Sequence, residues 1–323
     1  MKILITGGAG FIGSNFVRMM MKRQDEIVVL DNLSYAGRME NLEGVLDRIT
    51  FIKGDIRNMG NVEKAMKGCD QVVHFAALTH VDRSLSEAGE FIQTDVFGTF
   101  NILETARKFD VKRVVHISTD EVYGSIKSGS FKETDALNPR NPYSASKAGA
   151  ELLCRSYFET YKLPVLITRS SNNYGPNQHP EKFIPKSIVY SIIGKKIPIY
   201  GSGENVRDWL YVEDNCEAIE TVLQKGELGE VYNIAGKQEL QNIFIVNAIL
   251  RALGKGEETI EFVKDRPGHD LRYSLDISKI EKLGWKPKVN FQEGIERTVS
   301  WYRDNRKWWE PVMKTEIDFH KKY

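Results

Sequence analysis

The stretch Thr6-Gly7-Gly8-Ala9-Gly10-Phe11-Ile12-Gly13 follows the short apolar run Lys2–Thr6 and opens directly into a helical pattern. A turn that tight needs residues tolerating positive φ, and close approach of a pyrophosphate leaves no room for side chains. The start of the following helix adds free N–H groups and the positive end of a dipole. Asp31 closes the next apolar run, Glu26–Asp31, eighteen positions after Gly13. A carboxylate there accepts hydrogen bonds from the adenosine ribose hydroxyls and repels a 2′-phosphate, so the pattern predicts NAD rather than NADP. Gly7, Gly10 and Gly13, with Phe11 and Ile12 between them, are the candidate contacts.

Strand-like runs recur at Lys2–Thr6, Glu26–Asp31, 50–55, 71–76, 113–118 and 164–169, several of them continuous in Val, Ile and Leu. Parallel strands buried on both faces read this way. Helical stretches lie between them, clearest at 91–109 and 143–162. Such alternation predicts an α/β Rossmann fold, a doubly wound parallel sheet. After Arg169 the pattern loosens. Residues 172–178 are rich in Asn, Gly and Pro and read as a loop. Helices are expected over 182–194, Val212–Lys225, 242–254 and 292–308, with strands at Ile197–Tyr200 and 230–235. The expected organisation is an NAD-binding Rossmann domain over 1–170, with contributions from later segments, and a smaller C-terminal lobe over 171–323. The cleft between them is the expected active site.

The totals bound the partners. With 45 basic and 44 acidic residues among 323, the chain carries a net charge of +1 and offers no broad nucleic-acid or membrane surface. An anionic ligand must be met by a few local Arg and Lys residues. Cys69, Cys154 and Cys216 form no CxxC pair and no metal-ligand spacing with the six histidines. They read as reduced structural thiols and point to a cytoplasmic protein without a metal site. The apolar start is too short for a signal peptide or a membrane span.

Tyr143 and Lys147 are four apart at the start of a predicted helix and share a face. A neighbouring ammonium and a positive nicotinamide favour the phenolate, which needs about 4 kcal/mol to bring a tyrosine from about 10 to about 7. Ser118-Thr119 end the fifth strand-like run, where the Thr119 hydroxyl can polarise a substrate hydroxyl that Tyr143 deprotonates. This combination resembles the extended short-chain dehydrogenase/reductase superfamily. Asp120-Glu121 follow at once, where active-site residues collect in this fold. Two adjacent carboxyls whose surroundings push their pKa values apart can divide into an acid and a base.

Thr119-Asp120-Glu121-Val122-Tyr123-Gly124 resembles the nucleotide-sugar 4,6-dehydratases, most closely those acting on dTDP-glucose. The resemblance spans nearly the whole chain. It takes in Asp31-Asn32-Leu33-Ser34-Tyr35-Ala36-Gly37, Ala76-Ala77, His80-Val81-Asp82-Arg83-Ser84, Ser171-Asn172-Asn173-Tyr174-Gly175-Pro176 and Pro180-Glu181-Lys182. Arg207-Asp208-Trp209-Leu210-Tyr211-Val212 and Asp265-Arg266-Pro267-Gly268-His269-Asp270 complete it. The sequence departs from the common pattern at Leu78, where many dTDP-glucose enzymes are acidic, and at Arg38-Met39, in a polar stretch that varies.

The resemblance implies a hydro-lyase in which NAD is reduced and reoxidised within one turnover. It makes Tyr143 the base at the sugar carbon 4 hydroxyl, Glu121 the base at carbon 5 and Asp120 the acid at the carbon 6 hydroxyl, with Thr119 and Lys147 completing the catalytic set. It adds Asn32, Leu33, Ser34, Asp55, Ile56, Ala76, Ala77, Thr94 and Asn173 to the cofactor contacts. Thr79, Thr119, Asn172, Lys182, Phe183, Pro198, Tyr200, Arg207, Asn242, Arg266 and His269 become substrate contacts. Trp209 and Tyr211 are expected in the core beneath Arg207. Relatives pair through the helices corresponding to 91–109 and 143–162, which implies a homodimer. Two alternatives stand beside this reading. One is a UDP-glucose 4,6-dehydratase or another UDP-sugar epimerase or decarboxylase; epimerases have no need of the Asp120-Glu121 pair. The other is a non-catalytic NAD-sensing protein, which can dispense with Tyr143 and Lys147.

Overall fold

The computed structural model describes residues 1–265 and 270–320. The first strands are β1 (Lys2–Thr6), β2 (Glu26–Asp31), β3 (Thr50–Lys53), β4 (Gln71–His74), β5 (Arg113–Thr119) and β6 (Val165–Ser170). Then come β7 (Asn172–Tyr174), β8 (Ile197–Tyr200), β9 (Val206–Tyr211), β10 (Val231–Ile234), β11 (Glu239–Gln241) and β12 (Ile260–Val263). The first six strands and β10 make one sheet in the order β10-β6-β5-β4-β1-β2-β3. Every neighbouring pair in it is parallel.

The continuous apolar runs are explained by two-sided burial. Successive side chains of a strand point to opposite faces. Ile3 and Ile5 accordingly join one core with Phe16, Val29, Val115 and Ile219. Leu4 joins the core on the other face with Val28, Val72, Ile102 and Val114. A third core, around Tyr174, Trp209, Tyr211, Ile249, Phe291 and Tyr302, is built largely from the C-terminal half. Trp209 and Tyr211 lie in it as expected.

Strand order reverses between β1 and β4, so their connections leave in opposite directions and open a crevice at the carboxyl ends of the strands. The glycine turn sits at that point.

Residues 172–178 are not loop throughout, because β7 pairs in parallel with β9, and β11 completes that small sheet on the other edge of β9. The predicted helix 91–109 is also not regular. It begins as Ala88–Phe91, passes through a π-helical turn over Ile92–Phe97 and continues as Gly98–Lys108. The Asp95 side chain ties that turn to its neighbours, accepting from the backbone N–H of Leu78 at 2.9 Å and from the Ser146 hydroxyl at 2.7 Å.

Candidate active site

A cleft of about 480 Å³ lies along the carboxyl edge of the sheet. One part of its wall is Gly7, Gly10, Phe11, Ile12, Gly13, Asp31, Asn32, Ser34, Ile56, Ala76 and Ala77. Gly7 adopts φ +68, and a Cβ there would stand 2.6 Å from the backbone nitrogen of Ala76. A Cβ on Gly13 would stand 2.2 Å from the Gly7 carbonyl oxygen. The helix Phe11–Met20 begins at Gly10 without a side-chain cap, so its first N–H groups face the cleft as an anion site. The buried Asp31 accepts the Ala9 N–H at 2.9 Å on one oxygen and the Leu33 N–H at 2.8 Å on the other. These bonds fix its carboxylate while each oxygen keeps a lone pair for a ribose hydroxyl. The wall thus fits a dinucleotide at both the pyrophosphate and the adenosine ribose.

Thr119, Asp120, Glu121, Tyr143 and Lys147 line the same cleft, with Thr94, Thr79, Asn172, Asn173 and Lys182. Their placement follows from local structure. Thr119 is the last residue of β5 and caps a 3-10 turn over Asp120–Tyr123, its hydroxyl oxygen accepting the Glu121 N–H at 3.3 Å. Helix Pro142–Tyr161 starts with a capping box between Asn141 and Ser144 and with proline in its first turn. The capping residue reaches the carboxylate pair, because Asn141 Nδ2 donates to Glu121 Oε2 at 3.2 Å. Beneath the turn, Arg169 and Glu151 form a fully buried ion pair, and Arg169 donates to the Tyr123 hydroxyl at 2.5 Å. The turn carrying Asp120 and Glu121 is therefore held from below and from one side.

Surroundings separate the acids and bases. Burial, and next the charge of Glu121, push the Asp120 carboxyl up to about 8, against a hydrogen bond from the Thr119 hydroxyl at 3.1 Å. Asp120 is then a protonated acid near neutral pH. Burial and the charges of Glu121 and Asp95 hold the Tyr143 phenol well above its ordinary value, opposed by its hydrogen bond with Thr119. The Lys147 ammonium donates to the Ile117 carbonyl at 2.5 Å. Burial lowers the Lys147 pKa, with Asp95 acting the other way.

Several predicted residues lie elsewhere. Leu33, at φ +54, packs against the sheet core rather than the cleft. Asp55 is turned to Arg57, at 2.8 Å, leaving Ile56 on the wall. Phe183 stacks on Trp209 with ring centroids 6.2 Å apart. Pro198 and Tyr200 belong to β8, paired with β12, and the Asn242 N–H goes to the Asn205 carbonyl at 3.1 Å. Arg207 lines a smaller adjoining recess, which Glu121 and Asn172 share with the main cleft. Arg266 and His269 lie outside the described residues.

Arg57, Asp95, Gln178 and His179 were missed as candidates. Arg57, Gln178 and His179 line the cleft, and Asp95 stands behind it. Nothing in the local sequence of Arg57 and Asp95 marks them, whereas Pro180-Glu181-Lys182 marks the neighbourhood of Gln178 and His179. Among the described residues no group of three or more His, Cys, Asp or Glu side chains is arranged to hold a metal ion, and no helix is long and apolar enough to cross a membrane.

The sequence model for the family described as GDP-mannose 4,6 dehydratase matches residues 4–298. The chain belongs to that dehydratase family. Among its relatives, the low-salt glycan biosynthesis protein Agl12 of Haloferax volcanii is 52% identical, over 94% of this chain and 98% of that protein. The dTDP-glucose 4,6-dehydratase of Streptomyces niveus is 47% identical over 98% and 97%. The crystal structure of DesIV, the dTDP-glucose 4,6-dehydratase of Streptomyces venezuelae, was solved with NAD and dTDP bound. It superimposes with a TM-score of 0.95 at 50% identity, covering 97% of this chain and all of that one. The Rossmann-like fold described above, a central seven-stranded sheet flanked by helices, matches that of this structural neighbour.

Proposed function

We propose that this member of the dehydratase family converts dTDP-glucose to dTDP-4-keto-6-deoxyglucose and water. The observation that carries the reading is the buried Asp120 beside Glu121, at the end of β5 and on the same cleft wall as Thr119, Tyr143 and Lys147. An epimerase has no use for a protonated carboxyl beside a second carboxylate in that place.

NAD, when bound at the glycine turn, supplies a positive charge beside these groups and a reversible acceptor that takes hydrogen from sugar carbon 4 and returns it at carbon 6. Tyr143 Oη takes the proton of the carbon 4 hydroxyl, and the Thr119 hydroxyl orients that group. The resulting ketone acidifies the carbon 5 proton, which Glu121 removes. Asp120 gives its proton to the carbon 6 hydroxyl, which leaves as water, and Glu121 returns a proton to carbon 5 as carbon 6 becomes a methyl group. Arg207 and Lys182 supply cationic donors for the diphosphate.

On this reading residues 1–170, with later contributions, hold NAD, and 171–323 mainly hold the nucleotide sugar. The protein is cytoplasmic, in keeping with three buried free cysteines. It is a homodimer, supported by Ile92, Phe97, Leu152 and Tyr161, which are large, apolar and 45–55% exposed on the two helical segments. Light scattering at micromolar concentration should give twice the 36.9 kDa chain mass, and a monomer mass refutes the dimer. Incubation with dTDP-glucose and with UDP-glucose, followed by detection of the 4-keto sugar in alkali, tests the activity. Turnover of the thymidine substrate is expected; turnover of UDP-glucose alone overturns the assignment of the base.

A further inference from the structure

The Arg38-Met39 departure has a structural partner 270 residues away. Arg38 Nη1 donates to the Trp308 carbonyl at 2.7 Å, and its guanidinium lies 5.2 Å from the centre of the Trp308 ring. The Trp308 indole N–H donates to Asn41 Oδ1 at 2.8 Å. Asn41 is buried, and its Nδ2 donates to the Ala9 carbonyl at 2.8 Å. The Arg38 backbone N–H reaches the same carbonyl at 3.0 Å.

Ala9 stands inside the glycine turn, and its own N–H goes to Asp31. Ala9 therefore joins the pyrophosphate turn to the ribose carboxylate through its N–H, while its carbonyl takes two donors, the Arg38 N–H and Asn41 Nδ2, that Trp308 positions. Trp308 belongs to the C-terminal helix Arg306–His320. The preceding helix, Phe291–Asp304, adds a parallel tie, since the Tyr302 hydroxyl donates to the carbonyl of Gln178 on the cleft wall. The loop between Asp31 and Arg38 carries the wall residues Asn32, Ser34, Ala36 and Gly37. It is fixed at one end by the sheet and at the other by this C-terminal strap.

We propose that Trp308, acting through Asn41 and Arg38, is a positioning residue that keeps the cofactor turn closed and slows the exchange of NAD. The proposal rests on the reading above, in which NAD is recycled and has no need to leave between turnovers. Trp308→Phe keeps the ring but removes the indole donor. Arg38→Met keeps the backbone N–H but removes the contact with the Trp308 carbonyl.

The test loads the purified full chain with radiolabelled NAD and follows its loss into excess unlabelled NAD. Each variant should release label about tenfold faster than the parent, the effect of losing one or two hydrogen bonds at a partly buried site. The double variant should be little faster than the faster single, because both act on one tie. Trp285→Phe serves as the control for general destabilisation. That indole donates to the Asp214 carbonyl at 3.1 Å, away from the turn, so its loss should lower the urea midpoint and leave NAD release unchanged. Release from Trp308→Phe and Arg38→Met within twofold of the parent overturns the clamp while leaving the dehydratase reading intact. A parent chain that retains no NAD overturns the cofactor reading, and the clamp with it.

Discussion

Asp120→Asn isolates the acid. The Asp120 carboxyl has an ordinary value of 3.8 and is pushed up to about 8. As general acid it must be protonated, so the water-loss rate of the parent should hold below pH 8 and fall tenfold for each pH unit above it. The carboxamide cannot donate a proton to the leaving hydroxyl, so the variant should lose about 10²–10⁴-fold in that step. It should also lose the descending limb. Stability should move the other way. A carboxyl whose folded-state pKa is raised stabilises the fold fully below its unfolded value and loses that contribution as pH climbs through the folded value. The window here runs from 3.8 to about 8. At about 1.36 kcal/mol per pH unit that window sets a ceiling of roughly 6 kcal/mol, and relaxation at a cleft wall brings the expected gain of the variant near 2 kcal/mol. The gain should be absent at pH 4 and complete above pH 8, a rise of several degrees in Tm. Alkaline detection of the keto sugar across pH 6–10 and thermal melts across pH 4–9 read both effects. A limb that persists in Asp120→Asn, or a variant less stable than the parent at pH 8.5, refutes the assignment of Asp120 as the neutral acid.

Three further outcomes follow from the same geometry. Asp120→Asn combined with Glu121→Gln should abolish water loss yet leave slow reduction of bound NAD by dTDP-glucose, visible at 340 nm; near-normal dehydration contradicts the roles given to the pair. Gly13→Ala places a Cβ 2.2 Å from the Gly7 carbonyl oxygen. The strain, about 1–3 kcal/mol, should open the turn, so the purified variant should carry little NAD, whereas full occupancy would show that the turn can yield. Glu151→Gln leaves the buried Arg169 without its counter-charge. It should lose about 3 kcal/mol in urea unfolding, while a loss under 1 kcal/mol would mean that Tyr123 and the Glu133 carbonyl, 3.3 Å from Arg169, suffice.

The sheet was legible because its strands are buried on both faces and therefore uniformly apolar, and because a glycine turn followed by an acid fixes the first βαβ unit. β9 escaped notice because it carries Arg207 and Asp208, both buried. The carboxylate of Asp208 is paid in hydrogen bonds from the Gly236 N–H at 2.8 Å and Ser171, partners that no local pattern displays. The π turn at Ile92–Phe97 was equally hidden, since it answers to contacts of Asp95 with Leu78 and Ser146 across the fold. The catalytic residues could be read off because they cluster at one strand end and one helix start. Their electrostatics could not. The spacing of Tyr143 and Lys147 points to a phenolate favoured by the ammonium and a nicotinamide charge together, but it does not display the Ile117 carbonyl that takes a bond from the ammonium or the charges of Glu121 and Asp95 that hold the phenol up.

Internal recycling of hydrogen separates this chemistry from a dehydrogenase that consumes NAD. The protein, supplied with no NAD beyond what it carries, is given dTDP-glucose deuterated at carbon 4, and the product is examined by mass spectrometry and NMR. The expected product is the 4-keto sugar with one deuterium in the carbon 6 methyl group, formed in many turnovers per enzyme. Deuterium found in free NADH or lost to solvent, or a reaction that stops after one turnover until NAD is added, would contradict the recycling mechanism.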